Sequence, residues 1–207
     1  MVSDKDPLEP YRGKRHFDTT AEPSGEGGQA GDEPSFVVQI HDARRMHFDF
    51  RLEVDGVLKS WAVPKGPSTH PGDKRLAVPT EDHPLEYREY EGVIPRGEYG
   101  GGAVIVWDQG TYRPLGRDRP GRAATFGEAL AHGHASFWLD GTKLRGGYAL
   151  TRIRNGDGDE EAWLLVKEKD SAARHDGPAT PDPRRARFAR SGRTLHQVSQ
   201  DEAAGGG

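Results

Sequence analysis

Along residues 36–54 apolar and polar positions alternate with a period of two. Phe36, Val38 and Ile40 alternate with Gln39 and His41. After the loop "DARRM", Phe48, Phe50, Leu52 and Val54 alternate with His47, Asp49, Arg51 and Glu53. Successive side chains of a β-strand point to opposite faces, so both segments predict strands with one apolar face and one face of ionisable and amide groups. Asp55-Gly56 separates "RLEV" from "VLKSWAV", the signature of a two-residue hairpin with positive φ at both turn residues. Further strands are predicted at 75–79, 102–108, 111–114, 134–139, 147–153 and 161–168, with "DQG", "DG" and "NGDG" as turns. "TFGEALAHG" predicts a short helix, opened by a capping box of Thr125 and Glu128 and ended by Gly133. The pattern is all-β with one or two short helices, and many short antiparallel strands favour a barrel or a sandwich.

Composition divides the chain into three. Residues 1–34 hold eight acids and four bases and form an acidic N-terminal arm, whose Gly/Pro/Glu-rich stretch 19–34 is expected to be disordered or draped over the surface. Residues 35–170 carry the strands. Residues 171–207 read as a Pro/Arg/Ala-rich tail, within which 184–193, "RRARFARSGR", has five arginines and no acid. That run is either a solvated tail or a nucleic-acid contact, because local patches rather than the net charge of -4 set the attraction for phosphate. A mean hydropathy of -0.84 and 30% charged residues predict a soluble protein. No apolar run approaches the roughly 18 residues of a membrane span, and the N-terminal sequence has no apolar signal region, so a cytoplasmic protein without a membrane partner is expected. The chain has no cysteine, which excludes disulfides and thiolate metal sites. A metal would therefore sit on His, Asp or Glu.

The polar face of the first hairpin supplies such ligands. If the loop is tight, His41 and His47 stand nearly opposite, with Cβ atoms roughly 4.5–5.5 Å apart. Asp49 follows two residues on, on the same face. Two imidazoles and one carboxylate suit a divalent transition metal and leave positions open for water or substrate. Pairing across Asp55-Gly56 sets Asp49 opposite Ala62 and Arg51 opposite Ser60, so small residues leave room above the metal, while Phe50 faces Trp61 below. Arg51, Lys65 and Arg75 are candidate cations, and "EDHPLEY" adds Glu81, His83 and Tyr87. This mixture suits a phosphate ester, hydrolysed with a metal and a positioned histidine.

The segments "QIHDARRMHFDFRLE", "WAVPKGPS", "EDHPLEY", "GVIPRGEYGGG" and "WLLVKEKD" resemble the 3′-phosphoesterase domain of bacterial DNA ligase D and its stand-alone relatives, over roughly residues 10–170. The resemblance implies a compact β-barrel and a manganese-dependent enzyme, with other divalent transition metals as substitutes. Its expected activity is removal of 3′-phosphates and 3′-terminal ribonucleosides from primer strands during non-homologous end joining, leaving 3′-OH ends. By the same resemblance His41, His47 and Asp49 hold the metal, while Arg51, His83 and Tyr87 engage the scissile phosphate. Gln39, Glu53, Lys65, Arg75 and Glu81 complete or support the site, and Arg15 and Glu22 enter it from the arm. The arm reads "KRHF" where the family usually has "KRDF", with His16 in place of the acid. The implied partners are DNA primer-template ends, a separate DNA ligase and an end-binding protein, with nucleoid association when acting. Two other readings are a non-haem iron oxygenase, which uses the same ligand types, and a non-catalytic nucleic-acid-binding barrel.

Overall fold

The computed structural model describes residues 6–116, 125–154, 161–180, 182–184, 186 and 191–205. Nine strands run in chain order: β1 Ser35–Asp42, β2 Met46–Val54, β3 Val57–Val63, β4 Lys74–Pro79, β5 Gly92–Ile94, β6 Gly102–Pro114, β7 His134–Gly141, β8 Arg145–Arg154 and β9 Glu161–Lys167. All neighbours pair antiparallel in the order β1-β2-β3-β4-β9-β8-β7-β6, and β1 pairs back onto β6. The result is a closed eight-stranded barrel, with β5 added on β6 outside the ring. Closure removes free edges from a sheet that would otherwise template association.

The period-two pattern sets which residues go inside. Phe36, Val38, Ile40, Phe48, Phe50, Leu52 and Val54 join Trp61, Trp107, Phe137 and Tyr148 in the barrel interior. The opposite faces of β1 and β2 turn outward without becoming solvent-exposed. Tyr11, Val37, Leu58, Leu85, Tyr87, Ile94, Val104 and Val106 form a second, smaller apolar cluster against the barrel's outer wall. The arm and the 3-10 helix Leu85–Glu89 cover that wall. Among the described residues no helix is long and apolar enough to cross a membrane.

The first two hairpins have the predicted register: His41 faces His47, Asp49 faces Ala62, Phe50 faces Trp61 and Arg51 faces Ser60. Asp55 and Gly56 take φ of 50° and 83°, as the two-residue turn requires. Pairing also reaches Asp42 and Met46, so the β1–β2 loop is shorter than "DARRM" suggested. The helix α2, Phe126–Ala131, has the Thr125/Glu128 capping box, and Gly133 follows at φ 87°. Two further α-helices carried no strong periodic signal: α1, Glu9–Arg12, and α3, Leu195–Gly205. Leu195 and Val198 of α3 pack into the main core.

"DQG" is not a turn. It lies inside β6, where Trp107 is the extra residue of a bulge between the Val38–Asp108 and Gln39–Val106 pairs. The buried Asp108 carboxylate accepts the backbone N–H groups of Thr142 (3.0 Å), Lys143 (3.0 Å) and Leu144 (2.7 Å), pinning the β7–β8 turn. Gly110 is needed because a Cβ there would run into the Asp140 carbonyl. Turn-forming residue types thus serve a bulge and a distant loop. The expected "NGDG" turn (155–158), and residues 185 and 187–190 of the arginine run, lie outside the described residues.

Truncating Phe50, which is fully buried between Trp61 on β3 and Phe137, leaves a core cavity. Phe50→Ala should lower unfolding free energy by about 3–5 kcal/mol. Urea unfolding checks this, and an unchanged midpoint would count against the assigned inward face.

Candidate metal and phosphate site

Alternation on β2 projects His47, Asp49 and Arg51 from one face, and β1 adds Gln39 and His41. One donor atom from each of His41, His47 and Asp49 lies within 4.8 Å of the others. Asp49 Oδ2 is 3.6 Å from His41 Nδ1, and Asp49 Oδ1 is 3.3 Å from His47 Nε2. The remaining ring nitrogens are tied to carbonyls that only accept: His41 Nε2–H donates to Gly100 (2.6 Å) and His47 Nδ1–H to Arg45 (2.9 Å). In its neutral form each ring turns its lone pair toward the carboxylate, an arrangement that a shared cation satisfies; without the cation, a proton on the facing nitrogen bonds Asp49 in its place. Carbonyl partners of this kind orient metal-binding histidines. Donors roughly 2.0–2.2 Å from a divalent ion stand about this far apart, so the residues fit a divalent transition metal.

Asp49 is buried, and burial alone would raise its pKa. The Arg51 guanidinium, 2.9 Å away, and the two imidazoles outweigh burial and hold the carboxyl well below its usual range. For His47 burial opposes charge, but the Asp49 hydrogen bond and charge prevail and raise its pKa above the ordinary value. Arg51 is fixed on three sides: Nε donates to Gln39 Oε1 (2.8 Å), Nη1 to Ser60 Oγ (2.9 Å) and Nη2 to Asp49. Gln39 is itself held by donating to the Tyr87 and Tyr90 carbonyls (2.9 and 3.0 Å). A guanidinium has five N–H donors, so Arg51 keeps donor capacity beside the candidate metal ligands.

His83 faces Arg51 from the loop before the 3-10 helix. Its Nδ1 lies 2.8 Å from the Glu81 carbonyl, which only accepts, and 3.0 Å from Arg51 Nη1, which only donates. The shorter contact and the Arg15 donor 3.4 Å from Nε2 favour a proton on Nδ1 and a lone pair on Nε2. Burial, then the charges of Arg51 and Arg15, push its pKa well below the ordinary histidine value. The arm supplies the last wall. Arg15 donates to Glu22 (2.9 Å) and Glu81 (3.1 Å), lies 3.4 Å from His83 Nε2, and stacks 3.8 Å from the Tyr11 ring centroid. Tyr87 donates its hydroxyl to Glu22 (2.9 Å) and lies under the Arg51 guanidinium (4.9 Å). These groups surround a cavity of about 340 Å³.

Three of the sequence-selected residues stand elsewhere. Lys65 and Arg75 line a separate cavity of about 420 Å³ with Phe48 and Thr180. The chain turns away after β3 at Gly66 (φ 71°), and Arg75 reaches toward Asp73 (3.3 Å) and Thr180 (3.5 Å). Glu53 binds Ser35 and Arg88 two positions beyond Arg51 on β2. Sequence reasoning missed Tyr11, the orienting Gly100 carbonyl and Tyr99, which also lines the cavity. The glycine-rich run "RGEYGGG" was the available signal for the last two. His16 bonds Glu98 of that run (3.0 Å).

A family model described as DNA Ligase D 3′-phosphoesterase domain matches residues 39–152. The chain is 52% identical over 176 residues to the multifunctional non-homologous end joining protein LigD of Pseudomonas aeruginosa, and 47% identical over 165 residues to the multifunctional non-homologous end joining DNA repair protein LigD of Mycobacterium tuberculosis. These matches cover 84% and 79% of this chain but only 20% of each relative, so the chain spans about a fifth of their length.

His83 makes stability depend on pH. The unfolded chain protonates this residue near pH 6.5, while the folded state resists protonation to a much lower pH. Below about pH 6.5 the unfolded state therefore binds the extra proton, and stability falls by about 1.4 kcal/mol per pH unit from this group. His83→Asn, which keeps a donor for Glu81, should flatten the loss between about pH 6.5 and 5. Urea unfolding across that range checks it, and an unchanged slope would show that His83 is not held neutral.

Proposed function

The chain belongs to the DNA ligase D 3′-phosphoesterase family, and from that premise we propose that it heals 3′ ends of broken DNA, removing a terminal ribonucleoside and then the remaining 3′-phosphate to leave a 3′-OH. The observation that carries this reading is the convergence of the His41/His47/Asp49 donors with Arg51, Arg15 and neutral His83 around one cavity. Three ligands leave coordination positions open, and two guanidiniums complement the charge of a phosphate ester.

A divalent cation held by His41, His47 and Asp49, with manganese the assignment favoured by the family resemblance, supplies Lewis acidity toward a phosphate oxygen. The residues of the chain do the rest. Arg51 and Arg15 bind the phosphate and stabilise the charge that gathers on its oxygens. Water forms the new bond to phosphorus, the bond from phosphorus to the 3′-oxygen breaks, and the 3′-oxygen takes up a proton. His83 Nε2, held neutral, accepts the proton from water and returns it to the departing oxygen. Gln39 fixes Arg51, and Glu22 and Glu81 fix Arg15. For a terminal ribonucleoside water again bonds phosphorus, but the bond from phosphorus to the 5′-oxygen of that nucleoside breaks and the 5′-oxygen takes up the proton; the 3′-phosphate left behind is then removed as above.

An oxygenase uses similar ligands, but the paired guanidiniums and the family favour phosphoester chemistry. The end-joining names of the relatives suggest a ligase and an end-binding protein as partners, and action in the cytoplasm at the nucleoid.

The test is a labelled primer-template ending in 3′-phosphate or one 3′-ribonucleotide, incubated with and without manganese. Metal-dependent conversion to 3′-OH is expected, with His47→Ala losing it at least 100-fold by analogy with the loss of supporting metal contacts. His83→Ala should lose roughly 100-fold or more. Wild-type turnover of the His47 variant, or conversion that ignores metal, would overturn the proposal.

A further inference from the structure

We propose that Tyr99 is a stacking platform for a nucleobase next to the scissile phosphate; this rests on the phosphoesterase reading and adds a substrate contact to it. Three large hydrophobic side chains are exposed among the described residues, Leu76, Val78 and Tyr99, and Tyr99 is the aromatic one, with 49% of its surface open. It lines the same cavity as His41, His47 and Asp49. An aromatic ring left half in water beside a phosphate site is suited to a ligand with a flat apolar face, and every nucleobase has one.

The ring stands on a fixed turn. Glu98 N–H donates to the Pro95 carbonyl (3.2 Å) and Gly101 N–H to the Glu98 carbonyl (3.1 Å), and Gly100 takes φ 76°. A Cβ on Gly101 would lie 2.8 Å from the Pro95 carbonyl, so the turn needs glycine there. The next residue, Gly100, gives its carbonyl to His41 Nε2, which ties the position of the ring to that of a metal ligand. The arm holds the same turn, because Glu98 accepts from Thr19 (3.1 Å) and bonds His16.

Two cations lie close to the ring. Lys14 Nζ lies 4.6 Å from its centroid and 3.3 Å from its hydroxyl, and the Arg15 guanidinium lies 5.7 Å away. An aromatic ring beside basic side chains is the combination that binds single-stranded nucleic acid with little base preference: the ring stacks and the cations attract the backbone. Glu81, which pairs with Lys14 and Arg15, is the facing carboxylate.

The experiment uses primer-templates with 2-aminopurine at the terminal or the penultimate primer position, mixed with wild type, Tyr99→Phe and Tyr99→Leu without added divalent metal, followed by steady-state kinetics with manganese. Wild type and Tyr99→Phe should quench the fluorophore at one of the two positions, which identifies the stacked base. Tyr99→Leu should lose the quench and raise KM roughly tenfold more than it lowers kcat. Retention of quench and KM by Tyr99→Leu would overturn the platform, as would an equal loss in Tyr99→Phe, which would assign the effect to the hydroxyl and Lys14. A wild type that quenches but never forms 3′-OH would sink the phosphoesterase reading alone, whereas cleavage indifferent to Tyr99 would sink only the platform.

Discussion

The Asp49 carboxylate is the point on which the site depends. It is buried on the outer wall of a barrel, where an isolated charge would cost several kcal/mol, and it stays ionised because Arg51 donates to it at 2.9 Å and two imidazoles face it. Removing Arg51 alone would leave a buried anion, a loss of about 3–5 kcal/mol for a broken buried pair. The carboxylate therefore orders its surroundings. Arg51 must be held by Gln39 and Ser60, and His41 and His47 must turn one nitrogen each toward the carboxylate, the arrangement that fits a divalent cation.

The barrel makes this arrangement possible by separating two kinds of burial. Phe48, Phe50 and Leu52 fill the interior, so β2 is anchored without using its outward residues. Those outward residues would be solvated on a bare barrel. The arm and the 3-10 helix cover them instead, with Tyr11, Leu85 and Tyr87 supplying apolar cover and Arg15 and Glu22 supplying paired charge. Tyr87 links the layers, since its ring lies under Arg51 while its hydroxyl donates to Glu22. Arm and chemistry are thus one structure, and the glycine-rich turn at 96–102 joins them through Glu98 on one side and Gly100 on the other.

The parts of this site that sequence pattern reveals are those made by neighbouring strands. Asp55-Gly56 fixes the β2–β3 register locally, and the short β1–β2 loop does the same for His41 and His47, so alternation alone places the three candidate metal donors and sets Arg51 opposite Ser60. Contacts that depend on long-range packing leave no such trace. Arg15 and Glu22 came from family resemblance rather than from periodicity, because their partners Glu81 and Tyr87 are 66 and 65 residues away. Lys65 and Arg75 looked equally available as cations, yet the departure of the chain at Gly66 carries them to another cavity. "DQG" misled for a related reason: Asp108 does cap a turn, but that turn lies more than thirty residues later, at 142–144.

The most direct test is a crystal structure of the protein grown with manganese, with an anomalous difference map recorded above the metal's absorption edge. The account predicts one strong peak roughly 2.0–2.3 Å from His41 Nδ1, His47 Nε2 and an Asp49 oxygen, with His41 Nε2 still bonded to the Gly100 carbonyl. No peak at saturating manganese, or a peak ligated through His41 Nε2 or away from Asp49, would contradict it.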